Sequence, residues 1–242
     1  MEALSTLFYR HSWGWLIMGC GTSKQLTNAL HELAPRPNVN GNLAPEPDLN
    51  QAELEDALRW TAHYISQHSR KSITIIAVGG VVNTISLQSR LSTHDVDWFN
   101  SRLPQDDVTL LRKGANYAVQ QGSRQGVKYP LDWINNKTSL FIPAQLREEL
   151  LAEALQQDYE VFSAPGLRVL AAPWGYALMA KLDRMAGGGA KPYDSTDATT
   201  YLRQYILHRR VRNVSFETIE QLSRRYRLRL RMQDVQTVSQ QY

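Results

Sequence analysis

The chain has 242 residues, 43% of them apolar, with a formal charge of +4. That length and apolar content support a proper core, the single cysteine, Cys20, rules out an internal disulfide and suits a reducing, cytoplasmic setting, and no apolar run reaches the roughly 20 residues needed to cross a bilayer as a helix. The charge is uneven: residues 201 to 242 hold nine arginines against Glu217, Glu220 and Asp234, a net of +6, which leaves the first 200 residues at −2.

Residues 1 to 50 are expected to be a mobile segment, because "PRPNVNGNLAPEPDLN" at 35 to 50 is rich in proline, glycine and asparagine. Within it, "MGCGTSK" begins at Met18. If translation starts there, Gly19 matches a myristoylation site with Cys20 beside it for palmitoylation, the two anchors that stable membrane attachment needs. A start at Met1 removes that signal.

The ordered fold is expected from residue 51. Apolar positions Leu54, Ala57, Leu58, Ala62 and Ile65 recur at helical spacing, and "SITIIAVGG" reads as a buried strand closed by Gly79-Gly80. "VVNTISLQS" predicts a short helix and "HDVDWFN" a strand. "QDDVTLLRKGANYAVQQ" predicts a helix, "VKYPLDWIN" a strand near an edge because of its proline, and "PAQLREELLAEALQQ" another helix. Short strands follow at "YEVFSA" and "LRVLAA". From Pro173 the pattern is helical, through "WGYALMAKLDRMA", the loop "GGGAKPY", "DSTDATTYLRQYILHRR" and "SFETIEQLSRR". "RRYRLRLRMQ" alternates like a strand although its residues favour helix, and that assignment stays open. The fold class is α+β, with a mixed-sheet core at 51 to 171 and a helical region with a basic tail at 172 to 242.

The chemistry concentrates around "SRLSTHDVDWF". In an extended strand, residues two apart share a face, so Asp95 and Asp97 project together while Val96 turns inward. Two adjacent carboxylates repel each other and call for a cation, several donors or open water; magnesium is the natural partner where phosphates also bind. Upstream, Gly79-Gly80 ends a strand and enters a helix, an arrangement that offers backbone N–H groups to an anion. Arg90 and Thr93 supply a guanidinium and a hydroxyl suited to phosphate oxygens.

Gly79-Gly80, a helix, Arg90, Thr93 and then Asp95-Val96-Asp97 resembles the signature of the nucleotidyltransferase superfamily, the polymerase-beta-like fold. Its gap, residues 81 to 94, is at the long end for that family, and the arginine and threonine are similar to those of the AbiEii-type subgroup. The resemblance extends over about residues 75 to 205. It implies a third carboxylate on the next long strand, where Asp132 stands. It also implies a phosphate-binding lysine followed by an aspartate pair, matching Lys181, Asp194 and Asp197.

The activity so implied is transfer of NMP from an NTP to an acceptor hydroxyl with magnesium or manganese. Asp95, Asp97 and Asp132 would be its metal ligands, Lys181 would meet phosphate, and Gly79, Gly80, Arg90 and Thr93 would bind the NTP. The acceptor stays open among RNA or tRNA, protein and small molecule, with the arginine-rich carboxy terminus as a candidate RNA contact. The alternative function is a catalytically silent member of the fold, sensing nucleotide or serving as a membrane-tethered interaction module. Asp194 and Asp197 have an alternative too, as N-cap and third residue of the helix that follows.

Overall fold

Asn50 starts the first helix with its own side chain. Asn50 Oδ1 accepts from the Glu53 N–H at 3.1 Å and Glu53 Oε2 accepts from the Asn50 N–H at 2.9 Å, a reciprocal capping box that satisfies two donors at the helix start. The computed structural model describes residues 47–242. The expected mobile segment, save its last four residues, and the Met18, Gly19 and Cys20 signal lie outside the described residues. Those last four are placed: Leu49–Asn50 form β1, and Leu49 is buried. The ordered fold therefore begins slightly earlier than expected, because Leu49 pairs with Thr93 and covers apolar surface.

Helix α1 (Gln51–His68) buries the predicted stripe of Leu54, Ala57, Leu58, Ala62 and Ile65. Strand β2 (Ile73–Val78) follows, with Ile73, Ile75, Ile76 and Ala77 all buried, as expected of a strand covered on both faces. The short helix expected after Gly80 is a single π-helical turn, Val82–Ser86, an unusual geometry that is frequent at functional sites. β3 (Ser92–Thr93) pairs with β1, and β4 (Val96–Phe99) carries Asp97. Helix α2 (Gln105–Arg124) packs along α1.

β5 is only Ile134–Asn135, shorter than the strand expected over "VKYPLDWIN". Residues 127–133 are instead irregular, because Pro130 has no N–H for a ladder and the neighbouring side chains bond elsewhere. The Tyr129 hydroxyl donates to the Glu53 carbonyl at 2.9 Å, and Trp133 Nε1 donates to the Ala115 carbonyl at 3.3 Å from a fully buried position. Helix α3 (Ala144–Gln157) leads into the hairpin β6 (Glu160–Ala164) and β7 (Leu167–Ala171). Gly166 in its turn has φ +98°, and a Cβ there would approach the Ser66 nitrogen of α1 to 2.8 Å. Only glycine meets both demands.

The sheet order is β5-β4-β2-β7-β6. β2 runs antiparallel to β4 and parallel to β7, β4 is parallel to β5, and β6 is antiparallel to β7, so the sheet is mixed and β5 is indeed an edge. Helices α4 (Trp174–Ala186), α5 (Asp194–Arg209), α6 (Phe216–Tyr226) and α7 (Met232–Gln241) complete an α+β architecture. All of these elements share one compact unit.

The open stretch resolves as a helix end, an extended link and α7, which sequence reasoning missed. Arg227 ends α6 in the left-handed region at φ 56°. Leu228 and Leu230 then pack on the core while Arg229 and Arg231 pair with Asp183 and Asp234. The alternation is real, but among the described residues no neighbouring strand completes a ladder. No described helix is long and apolar enough to cross a membrane.

Candidate active site

Strand β4 explains the paired carboxylates. Val96 and Trp98 are buried in the core, which leaves Asp95 and Asp97 on the other face, both half-buried. The register puts Asp97 between Val78 of β2 and Asn135 of β5. Asn135 Nδ2 donates to Asp95 Oδ2 at 3.0 Å and to the Asp132 carbonyl at 3.4 Å. Asp132 stands three residues earlier, in the turn before β5, and its carboxylate is paired with Lys137 Nζ.

The three carboxylates nevertheless feel one another. Burial raises the Asp97 carboxyl to about 7, with Asp95 adding to the rise and Lys137, Asn135 and Arg184 opposing it. Burial likewise raises Asp95, opposed by Asn135, His94 and Lys137 and reinforced by Asp132. Lys137 thus offsets charge on all three, directly at Asp132 and through space at Asp95 and Asp97. His94 pairs with Asp48 at 2.8 Å.

The glycine pair divides its labour. Gly79 has φ +74° and no heavy atom within 4 Å of where a Cβ would stand, so this side of the turn is open. Its carbonyl accepts from the Tyr201 hydroxyl at 3.0 Å and from Asn83 Nδ2 at 3.4 Å; Asn83 also donates to Tyr201 at 3.0 Å. Gly80 is packed instead: a Cβ would come within 2.7 Å of the Thr93 Cβ, closer still to its hydroxyl, and 3.2 Å from Arg90 Nη1. Thr93 therefore rests on Gly80. In the π turn, Asn83 Oδ1 and Thr84 Oγ1 are buried with no hydrogen-bond partner among the described residues.

The later lysine and aspartates join the same neighbourhood. Arg90 Nε donates to Asp197 at 2.9 and 3.1 Å, and Arg90 Nη2 also engages that carboxylate. Lys181 Nζ donates to Asp197 at 2.7 Å and to Asp194 at 3.5 Å; Arg184 Nε donates to Asp194 at 2.8 Å. Both aspartates are 0% exposed and Lys181 is 5% exposed. The Tyr193 ring covers the Arg90 guanidinium at 3.5 Å. Burial lowers the Lys181 ammonium against the pull of Asp197. It works the other way on Asp194, which Arg184, the Lys191 N–H and Lys181 still hold below the usual carboxylate range.

The capping alternative fails for this pair. Asp194 is itself the first helical residue, the helix has no side-chain cap, and the two carboxylates serve the cationic cluster. Sequence reasoning missed Lys137, Asn135, Arg184, Asn83, Tyr193 and Tyr201. Arg184 had a signal, three residues after Lys181 on one helix face. Lys137, Asn135 and Asn83 also have a partner within five residues, at Asp132 or Gly79, whereas Tyr193 and Tyr201 meet Arg90 and Gly79 across more than 100 positions.

No family model, curated protein or solved structure matches this chain. The donor set is the test of a metal. Two carboxylates two residues apart, partly dried and raised by burial, with Asp95 adding to the rise of Asp97, suit a hard divalent cation. Among the described residues no three His, Cys, Asp or Glu side chains form a ready shell. Magnesium does not require one, since it is commonly held by one or two carboxylates with waters and substrate phosphates.

Proposed function

We propose that the chain is a magnesium- or manganese-dependent nucleotidyltransferase of polymerase-beta-like fold, moving NMP from an NTP to an acceptor hydroxyl. The observation that carries this reading is the half-buried pair of Asp97 on β4 and Asp95 just before it, beside the open Gly79 turn that ends β2. Asp95 and Asp97 would hold the metal, with Asp132 beside them; the bound ion would neutralise phosphate charge and lower the pKa of the acceptor hydroxyl. Gly79 lets the triphosphate approach the backbone, and Gly80, Thr93 and Arg90 brace that turn. Arg184 and Lys181 bring positive charge to the phosphate side.

In the transfer, the acceptor oxygen bonds to the α-phosphorus and the bond to the oxygen bridging the β-phosphate breaks. Pyrophosphate leaves, and the hydroxyl proton passes to solvent by way of Asp132. The test is incorporation of α-phosphate-labelled NTPs into RNA and protein of a cell extract. Label is expected with the wild type and reduced about 100-fold or more with Asp95→Asn, Asp97→Asn, the loss typical of removed transition-state charge stabilisation.

One observation favours the silent-module reading: Arg90, Lys181 and Asp132 already have partners, in Asp197 and Lys137. A fold that only binds nucleotide would keep them so. Stabilisation of the wild type by NTP and magnesium, lost in Asp95→Asn but without any transfer, selects that reading.

A further inference from the structure

The basic carboxy-terminal region is less available than its composition suggests. Arg225 pairs with Glu153, Arg229 with Asp183, Arg231 with Asp234 and Arg224 with Glu220, while Arg203 donates to the Gln241 and Tyr242 carbonyls. Among the described residues, no carboxylate forms an ion pair with Arg209, Arg210 or Arg212, nor with Arg227 at the far end of α6. The first three form an exposed corner between α5 and α6, with His208 beside them.

His208 and Arg209 of that corner line a cleft of about 770 Å³ between α3, α4, α5 and α6, and Arg210 and Arg212 flank the lining residues Arg209, Val211 and Asn213 in sequence. The size is that of a small-molecule site. Arg209 lines the cleft and the half-buried Tyr205 supplies aromatic surface, while Trp174, also in the lining, is only 2% exposed. At the Gly175 backbone a Cβ would stand only 3.3 Å from Tyr205 and the Tyr226 hydroxyl. Among the described residues Glu153 is the one carboxylate in the lining, and it is committed to Arg225 and Tyr226. Side-chain amides of Gln156, Asn213 and Gln221 complete the lining with groups that can meet a base edge.

We propose that this cleft is a second site, separate from Asp95 and Asp97, that takes a nucleotide, either free or at the end of a single-stranded RNA. The rim arginines meet phosphate and the cleft takes the base. Aromatic surface, amides and cations in one concavity suit an unstacked nucleotide, whereas a lipid surface would meet only the exposed arginines. Trp174 stands 6.0 Å from the Tyr201 ring, whose hydroxyl holds the Gly79 carbonyl. Two buried rings, Trp174 and Tyr201, thus stand between the cleft and the glycine turn. The binding itself does not depend on the transferase reading.

The test is fluorescence anisotropy of the full chain with a labelled single-stranded oligoadenylate across a salt series, with AMP as competitor and phosphatidylserine vesicles as a separate arm. Arg209→Glu with Arg212→Glu, two exposed positions, is expected to weaken RNA binding about tenfold or more and to shrink the salt slope by about 1.4, about 0.7 for each phosphate contact on a single strand. Tyr205→Ala weakens both RNA and AMP, and Asp95→Asn, Asp97→Asn leaves both intact. RNA binding tighter than AMP identifies the strand as the ligand. AMP bound while RNA is not identifies the free nucleotide. Unchanged binding in the double arginine variant, binding lost only in the aspartate variant, or vesicle binding with neither RNA nor AMP would overturn the proposal.

Discussion

Asn135 stands beside Asp97 in the parallel pairing of β4 and β5, and its amide donates to Asp95. A neutral donor thus occupies the sheet position next to the carboxylate pair, and the third acid, Asp132, is displaced into the preceding turn. Replacing that donor with an acid should add repulsion where the charge is already crowded. Asn135→Asp is expected to lower the melting temperature at neutral pH in EDTA and to show a larger stabilisation by magnesium than the wild type. Equal magnesium responses in thermal scans would mean that position 135 does not face the metal.

Asp97 makes stability depend on pH. Its native carboxyl is raised to about 7 against an ordinary value of 3.8, so the folded state holds this proton more tightly than the unfolded state. The stabilising contribution is complete at pH values below 3.8 and is lost as pH rises through about 7. Urea midpoints in EDTA should therefore fall over this interval, less so in Asp97→Asn, and magnesium should offset the fall on the alkaline side. A wild-type profile that matches Asp97→Asn throughout would contradict the assignment.

Gly79 and Gly80 should respond differently to alanine. At Gly79 the added methyl has space, and the cost is that of a left-handed conformation, on the order of 1 kcal/mol. At Gly80 it collides with Thr93, whose own position is fixed by pairing with Leu49. Gly80→Ala should be the more destabilising of the two in chemical denaturation. Thr93→Ala should recover part of that loss, since it removes the nearer hydroxyl but leaves the Cβ.

Asp197 is completely buried between Arg90 and Lys181. Neutralising it strands two cations, whereas Lys181→Met leaves the aspartate still paired with Arg90. Loss of one partner of a buried pair costs about 3–5 kcal/mol, so Asp197→Asn should lie in that range and exceed Lys181→Met. Urea unfolding that ranks the two variants the other way would show that Lys181, not Asp197, organises the cluster.

How much of this was legible beforehand varies by residue. The Asp95 and Asp97 face, the turn at Gly79, and the helices from α1 to α6 could be read locally. Periods of two and 3.6 residues and the conformational habits of glycine and proline operate within a few residues. Pro130 correctly marked an edge, but not that β5 would shrink to two residues, because the competing bonds of Tyr129 and Trp133 run to Glu53 and Ala115.

The sequence by itself determined the order of the longer elements as far as α6, the shared face of Asp95 and Asp97, and the concentration of arginine beyond residue 200. Only the tertiary structure decided the partners. Arg90 meets Asp197 across 107 positions, Tyr201 meets Gly79 across 122, and Arg225 meets Glu153 across 72. Periodicity fixes which way a side chain points along its own element, whereas a charge's partner depends on how distant elements pack together. Whether an arginine is spent inside the fold or remains for a ligand is therefore set by that packing.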